Sequence, residues 1–201
     1  MRKFLLPVAF AALLFQSSCV TTDREVGTSN NADQLFTPKP EAARSRMTSR
    51  TVLRTVQAQH AFSDPRAKDN FVLLLQGTKV AEANARFLII SAQGDTLRNE
   101  VMPATALIDE RAMQEDPQAG SVRAKEIAIL QGMNKFFAED KFTAPAIPKK
   151  TTSAPEGADP EGWQAVREDN RAVGFDYVDA SGREKRIAFA KKLNKAVVVA
   201  E

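Results

Sequence analysis

The chain is poor in the residues that most often carry chemistry. Its 201 residues include one cysteine (Cys19), one histidine (His60), one tryptophan (Trp163) and one tyrosine (Tyr177). A single cysteine cannot close an internal disulfide, and a single histidine excludes a multi-histidine zinc site. After the first fifteen residues nothing approaches 18 consecutive apolar residues, the length a membrane-crossing helix needs. There is no Gly-x-Ser-x-Gly elbow, no glycine loop of the phosphate-cradling kind and no His-Glu-x-x-His. His60 is the only imidazole, and beside Phe62 at the end of a polar lead-in it reads as a solvated surface side chain rather than a base. These absences argue against an enzyme and predict neither a cofactor nor a bound metal.

What is present is concentrated at the start. Met1-Arg2-Lys3 is positive, Phe4 to Phe15 is apolar apart from Pro7 in its fold-breaking character, and Gln16-Ser17-Ser18 is a polar exit before Cys19. An apolar run this short suits the central region of a secretory signal better than a bilayer span. Loss of residues 1–18 removes Arg2 and Lys3, so the net charge falls from +3 to +1. That balance does not suit nucleic acid as a partner. The remaining chain of about 180 residues is long enough for one domain with a core of its own.

Residues 1–19 resemble a bacterial lipoprotein signal, with Ser17 and Ser18 before Cys19 as that signal requires. Gln16 departs from the pattern, which has an aliphatic residue there. The resemblance implies acylation of Cys19, and a folded body without a free thiol. Each buried methylene contributes about 0.8 kcal/mol, so the two or three chains of such an anchor hold effectively permanently. Val20 is not the aspartate that marks inner-membrane retention in enterobacteria, which favours the outer membrane, on its periplasmic face or at the surface.

The organisation expected downstream is a signal peptide at 1–18, a lipidated flexible tether at 19–40, a lead-in at 41–69 and a domain at 70–201. The tether is polar, closes on Pro38 and Pro40, and as a coil reaches about 25 Å. In the lead-in Arg46, Arg50 and Arg54 recur every four residues, which allows a helix with Val52, Leu53 and Val56 on a short apolar face. Phe71 to Gln76, Ala85 to Ser91 and Thr96 to Met102 read as three strands, their apolar runs suggesting cover on both faces. Val122, Ile129, Leu130, Met133, Phe136 and Phe137 form one face of a helix capped by Ser121. A Pro-rich loop follows at 143–162, then a short helix from Trp163. Three last strands surround the Asp179-Ala180-Ser181-Gly182 turn. The fold class expected is therefore α+β: a single domain of two antiparallel three-strand meanders, with one main amphipathic helix packed on the sheet.

Few residues are candidates for chemistry. Asp109, Glu110, Glu115 and Asp116 precede the main helix, where acids suit the helix dipole, and their spacing fits no EF-hand loop. Glu126 falls within the apolar arc, where a carboxylate is either buried and perturbed or at the rim beside an arginine. Trp163 and Tyr177, near the long loop, are either core rings or rings that stack on a ligand. Trp163, Tyr177 and Glu126 are the candidate ligand or partner contacts.

The order of Phe71-Val72-Leu73-Leu74-Leu75, the Gly94-Asp95 hairpin, Phe136-Phe137, Phe142, Pro145-Ala146-Ile147, Trp163 and Ile187-Ala188-Phe189-Ala190-Lys191-Lys192 is similar to that of uncharacterised small cell-envelope lipoproteins of Bacteroidota, over roughly residues 70–200. The resemblance implies an envelope address and no activity. The function expected is a lipid-anchored, non-enzymatic binding or structural protein of the bacterial envelope, its partner a protein or glycan. The alternatives are a small carboxylate-dependent wall or glycan hydrolase, which needs two facing carboxylates, and a carrier of an apolar or lipid ligand, which needs an apolar cavity. Cys19→Ala is expected to move the protein from the membrane to the soluble fraction and abolish palmitate labelling; a labelled, membrane-bound variant would refute acylation at Cys19.

Overall fold

The computed structural model describes residues 47–114 and 120–201. The signal, the tether with Cys19, and Glu115 and Asp116 lie outside the described residues. Within them the fold is α+β, built from two four-stranded antiparallel sheets. The first is a meander in the order β1 (Val52–His60), β2 (Asp69–Gln76), β3 (Asn84–Ile90) and β4 (Thr96–Pro103). The second runs β5 (Phe142–Thr143), β6 (Gly174–Val178), β7 (Glu184–Ala190) and β8 (Lys195–Ala200).

Each sheet thus has one strand more than expected. The lead-in, for which the arginine spacing only allowed a helix, holds a strand instead: Val52–His60 is the edge strand of the first sheet. The arginine spacing of four suggests a helix, but Leu53, Val56, Ala58 and His60 are the side chains sheltered in this strand. Val56, Ala58 and His60 alternate with exposed Gln57 and Gln59, and their fit against Leu73, Phe71 and Asp69 of β2 decides the outcome. The extra strand of the second sheet, β5, is only two residues long and ends at Thr143, where the Pro-rich loop was expected to begin.

β2 alternates without exception. Asp69, Phe71, Leu73 and Leu75 are buried, whereas Asn70, Val72, Leu74 and Gln76 are half-buried on the other face. Ala85, Phe87 and Ile89 of β3 extend the inner face, and Phe175, Tyr177, Ile187 and Phe189 of the second sheet join the same core. Phe71 and Phe87 meet Phe175 at ring-centroid distances of 5.3 and 5.5 Å.

Among the described residues three α-helices complete the fold: α1 (Glu110–Gln114), α2 (Val122–Lys135) and α3 (Pro160–Glu168). α2 starts where expected, with the Ala124 N–H donating to Ser121 Oγ at 3.0 Å. Ile129 and Met133 turn into the main core, and Phe136 and Phe137, just past the helix end, close it. Val122 does not join them; in the first turn it lies beyond the packed part of the helix and is 66% exposed. α3 covers the outer face of the second sheet. Its Trp163 and Val166 pack with Ala188, Ala190, Val197 and Val199 in a second core.

A buried carboxylate ties the end of the first sheet together. Asp69 is fully buried and accepts hydrogen bonds from the N–H groups of Phe62 (3.2 Å), Ser63 (2.6 Å) and Ala92 (3.2 Å), and from Ser63 Oγ (2.9 Å). It joins the β1–β2 connection to the β3–β4 turn. Four donors offset the desolvation of a carboxylate that would otherwise be prohibitive.

α2 approaches the short 3-10 turn Ala104–Leu107 so closely that only glycine fits at the crossing. A Cβ at Gly132 would lie 1.9 Å from the Leu107 carbonyl oxygen. Gly132→Ala is therefore expected to cost about 3 kcal/mol or more, through displacement of a backbone that cannot yield cheaply. In urea it should lower the midpoint without changing the slope. A midpoint equal to the parent's would refute the close approach.

Candidate binding surface

The residues singled out in the sequence are placed apart from one another. Trp163 is 4% exposed in the outer core under α3, with the Arg167 guanidinium 5.2 Å over its ring. Its Nε1–H is buried without an acceptor among the described residues. Tyr177 is 3% exposed in the main core. Ligand stacking on either ring requires the packing around it to open. Glu126 is half-buried on α2, and among the described residues no ion pair joins it. Asp109 Oδ1 accepts from the N–H groups of Arg111 (3.1 Å) and Ala112 (3.3 Å), capping α1 next to Glu110. Among the described residues no group of three or more His, Cys, Asp or Glu side chains is arranged to hold a metal ion.

The polar side chains near the core are engaged with one another. Tyr177 Oη donates to Glu100 Oε2 at 2.8 Å and receives Arg98 Nη2 at 2.9 Å, while Arg98 also pairs with Glu100. This network bridges β4 to β6. Burial pushes the Tyr177 hydroxyl far above its ordinary range; Arg98 opposes that shift and the bond to Glu100 adds to it. At the expected turn, Asp179 takes the N–H groups of Ser181 and Arg183, the Ser181 hydroxyl, and Lys185 Nζ at 2.7 Å. Burial works to raise this carboxyl, but Lys185 and the turn donors hold it well below the usual range.

His60 departs from the solvated side chain expected. Its side chain is 18% exposed and its ring stacks on Phe142 with centroids 3.4 Å apart, joining the edge strands of the two sheets. Sequence alone does not bring residues 60 and 142 together. Burial lowers the imidazole's pKa; exposed Glu139, 3.7 Å away, pulls it back up, and Lys68 lowers it further.

The outer faces of the two sheets differ in kind. On the second, α3 covers the part around Ala188, Ala190, Val197 and Val199. On the first, the register aligns Thr55, Leu74, Arg86 and Val101 in one row and Gln57, Val72, Leu88 and Asn99 in the next. Asn70 and Ile90 pair in a third row beside Gln59. Val72, Leu74, Leu88 and Ile90 are half-buried and Val101 is 54% exposed. These aliphatic side chains belong to neither core. Arg86 is the one charge in these rows, and its Nε bonds Asn99 Oδ1 at 3.0 Å. An aliphatic centre, an amide border and near-absence of charge are the composition of an interface centre, on a chain that is 26% charged. Cover on both faces was expected of the first sheet's strands; among the described residues it is the second sheet that a helix covers. For the first, no described helix packs on the outer face. The signal that could have revealed this surface is the lack of charge at alternate positions of β2 and β3, which has meaning only once their register is known.

No known protein family, curated protein or solved structure matches the chain.

The His60 packing generates a pH dependence of defined sign. A histidine whose folded value lies below its unfolded value of about 6.5 contributes fully above that pH, and the contribution is lost as pH falls through the folded value. The lowered carboxyls of Asp159, Glu168, Asp169 and Asp179 act in the same direction at lower pH, losing their contribution as pH falls below about 4. Between about pH 7.5 and 5 the thermal midpoint is therefore expected to fall, and His60→Phe, which keeps the stack, to flatten that fall. Identical slopes in parent and variant would refute it.

Proposed function

We propose that this protein is a lipid-anchored, non-enzymatic binding protein of the bacterial cell envelope, held through Cys19 and engaging a partner protein through the outer face of its first sheet. The observation that carries the binding role is the charge-poor aliphatic surface around Val72, Leu74, Leu88 and Ile90. The anchor rests on the apolar run and Cys19, and an outer-membrane location on Val20.

The size of the surface argues for its occupant. Four strands about 4.8 Å apart, over about eight residues at 3.4 Å, give a face of about 500 Å2. A stable dimer needs about 800 Å2 from each partner, so a second copy of this chain is poorly matched. An amphipathic helix fits this width, and α3 covers the second sheet in that manner, with Trp163 and Val166 as its apolar side. The partner proposed is therefore a protein presenting an amphipathic helix. The alternatives find less support. The space between the sheets, where a carrier would hold its ligand, is filled by Phe71, Phe87, Phe136, Phe137 and Phe175. Glu100 and Asp176 are each engaged by an arginine, which leaves neither free to serve as an acid or nucleophile.

The test is in-cell crosslinking from positions flanking Leu88, with Leu88→Arg and Cys19→Ala in parallel. The expected result is one defined envelope protein, crosslinked through a helix and lost with Leu88→Arg, while that variant keeps the parent's melting midpoint to within about 3 °C. Recovery unchanged by Leu88→Arg, or crosslinks only to other copies of this chain, would overturn the reading.

A further inference from the structure

A second surface, separate from the sheet face, has a different chemistry. A cleft of about 380 Å3 opens over the second sheet. Its floor holds two preformed ion pairs. Arg186 and Asp176 meet in a two-bond fork, Nε to Oδ1 and Nη2 to Oδ2, each at 2.7 Å. Lys185 sits 3.3 Å from Glu201 Oε1 while also held by Asp179. Asp140, Lys141 and Glu184 complete the charged lining.

The charges decide what this cleft suits. Lys141, Lys185 and Arg186 stand against Asp140, Asp176, Glu184 and Glu201, so the signs nearly cancel. The floor cations already have carboxylate partners, which disfavours a phosphate or sulfate; the cations among the acids disfavour a metal ion. Few apolar groups are available for a lipid. The Arg186–Asp176 fork nevertheless retains hydrogen-bonding capacity. Of five guanidinium N–H groups, Nε and one on Nη2 serve Asp176 and one on Nη1 reaches the Ala146 carbonyl at 3.4 Å, which leaves two. The carboxylate retains about two lone-pair sites. Donors and acceptors therefore lie side by side in one plane, rigid because the pair is partly buried, with side chains 22% and 29% exposed. Adjacent hydroxyls of a sugar, each both donor and acceptor, complement that arrangement.

We propose that this cleft is a binding site for a neutral, hydroxyl-rich ligand, a segment of uncharged glycan, seated on the Arg186–Asp176 pair. The site does not depend on the protein partner proposed for the first sheet, and failure of either leaves the other standing. The experiment is an amide NMR titration of the folded protein with an N-acetylglucosamine trimer and with maltotriose, against inorganic phosphate and calcium chloride as ionic probes. The expected result is saturable shifts at Asp176, Lys185, Arg186 and Glu201 with at least one sugar, at a Kd of about 1–10 mM for an open polar site. Asp176→Asn should weaken that binding about tenfold, roughly the loss of one charged hydrogen bond. Because Asp176→Asn also frees Arg186, rim variant Glu184→Gln serves as a second probe and should weaken binding about threefold without altering the melting midpoint. No saturable shift with either sugar up to about 30 mM, shifts with the ions alone, or sugar shifts mapping to the first sheet would each overturn the proposal.

Discussion

Phe175 is the point through which the two sheets and the end of α2 are held together. Fully buried on β6, its ring lies 5.3 Å from Phe71 and 5.5 Å from Phe87 of the first sheet, and 4.8 Å from Phe142 on the neighbouring strand. Phe136 and Phe137 meet it at 5.9 and 5.8 Å from the helix end. Rings at these distances add about 0.5–1.5 kcal/mol per pair to the burial of their area. The interior therefore has little freedom to rearrange by small steps. Each ring's position is fixed by several others, and in the absence of any disulfide within the described residues this packing carries the association of the sheets.

That constraint explains how the surfaces come to differ. Filling the space between the sheets with rings uses inner residues of β2, β3, β6 and β7 and leaves the outer faces to separate solutions. The second sheet places Ala188 and Ala190 outward, small enough for α3 to lie close, and Gly162 lets the helix approach Val197. The first sheet places Val72, Leu74, Leu88 and Ile90 outward, larger side chains that neither core receives. Polar chemistry is pushed to the margins, where Arg98, Glu100 and Tyr177 close one side and His60 with Phe142 the other.

The local elements were largely legible in the sequence, and their pairing was not. Ser121 marked the start of α2, the Asp179 turn was evident from its residues, and the long strands stood out as apolar runs of the right length. β1 was obscured because arginines at 46, 50 and 54 imitate a helical stripe, while the partner that makes it a strand is supplied only by β2. β5, at two residues, is too short to leave a pattern. The aromatic candidates illustrate the same limit. Trp163 and Tyr177 draw notice by their rarity, yet their rings serve packing, as most large rings do. The charge-poor face and the Arg186–Asp176 fork depend on residues from different strands, 10 positions apart in the second case, and become visible only when the register is known.

The position of β1 has a mechanical consequence. The described chain enters at Met47 and passes directly into β1, which among the described residues pairs on one side only, to β2. Tension applied through the preceding residues would therefore act first on this strand, entering at the Val52–Gln76 pair. Arg54 to Asn134 and the His60–Phe142 stack are the cross-links met along that path. Load entering from this end therefore meets the sheet edge before it reaches the ring-filled interior.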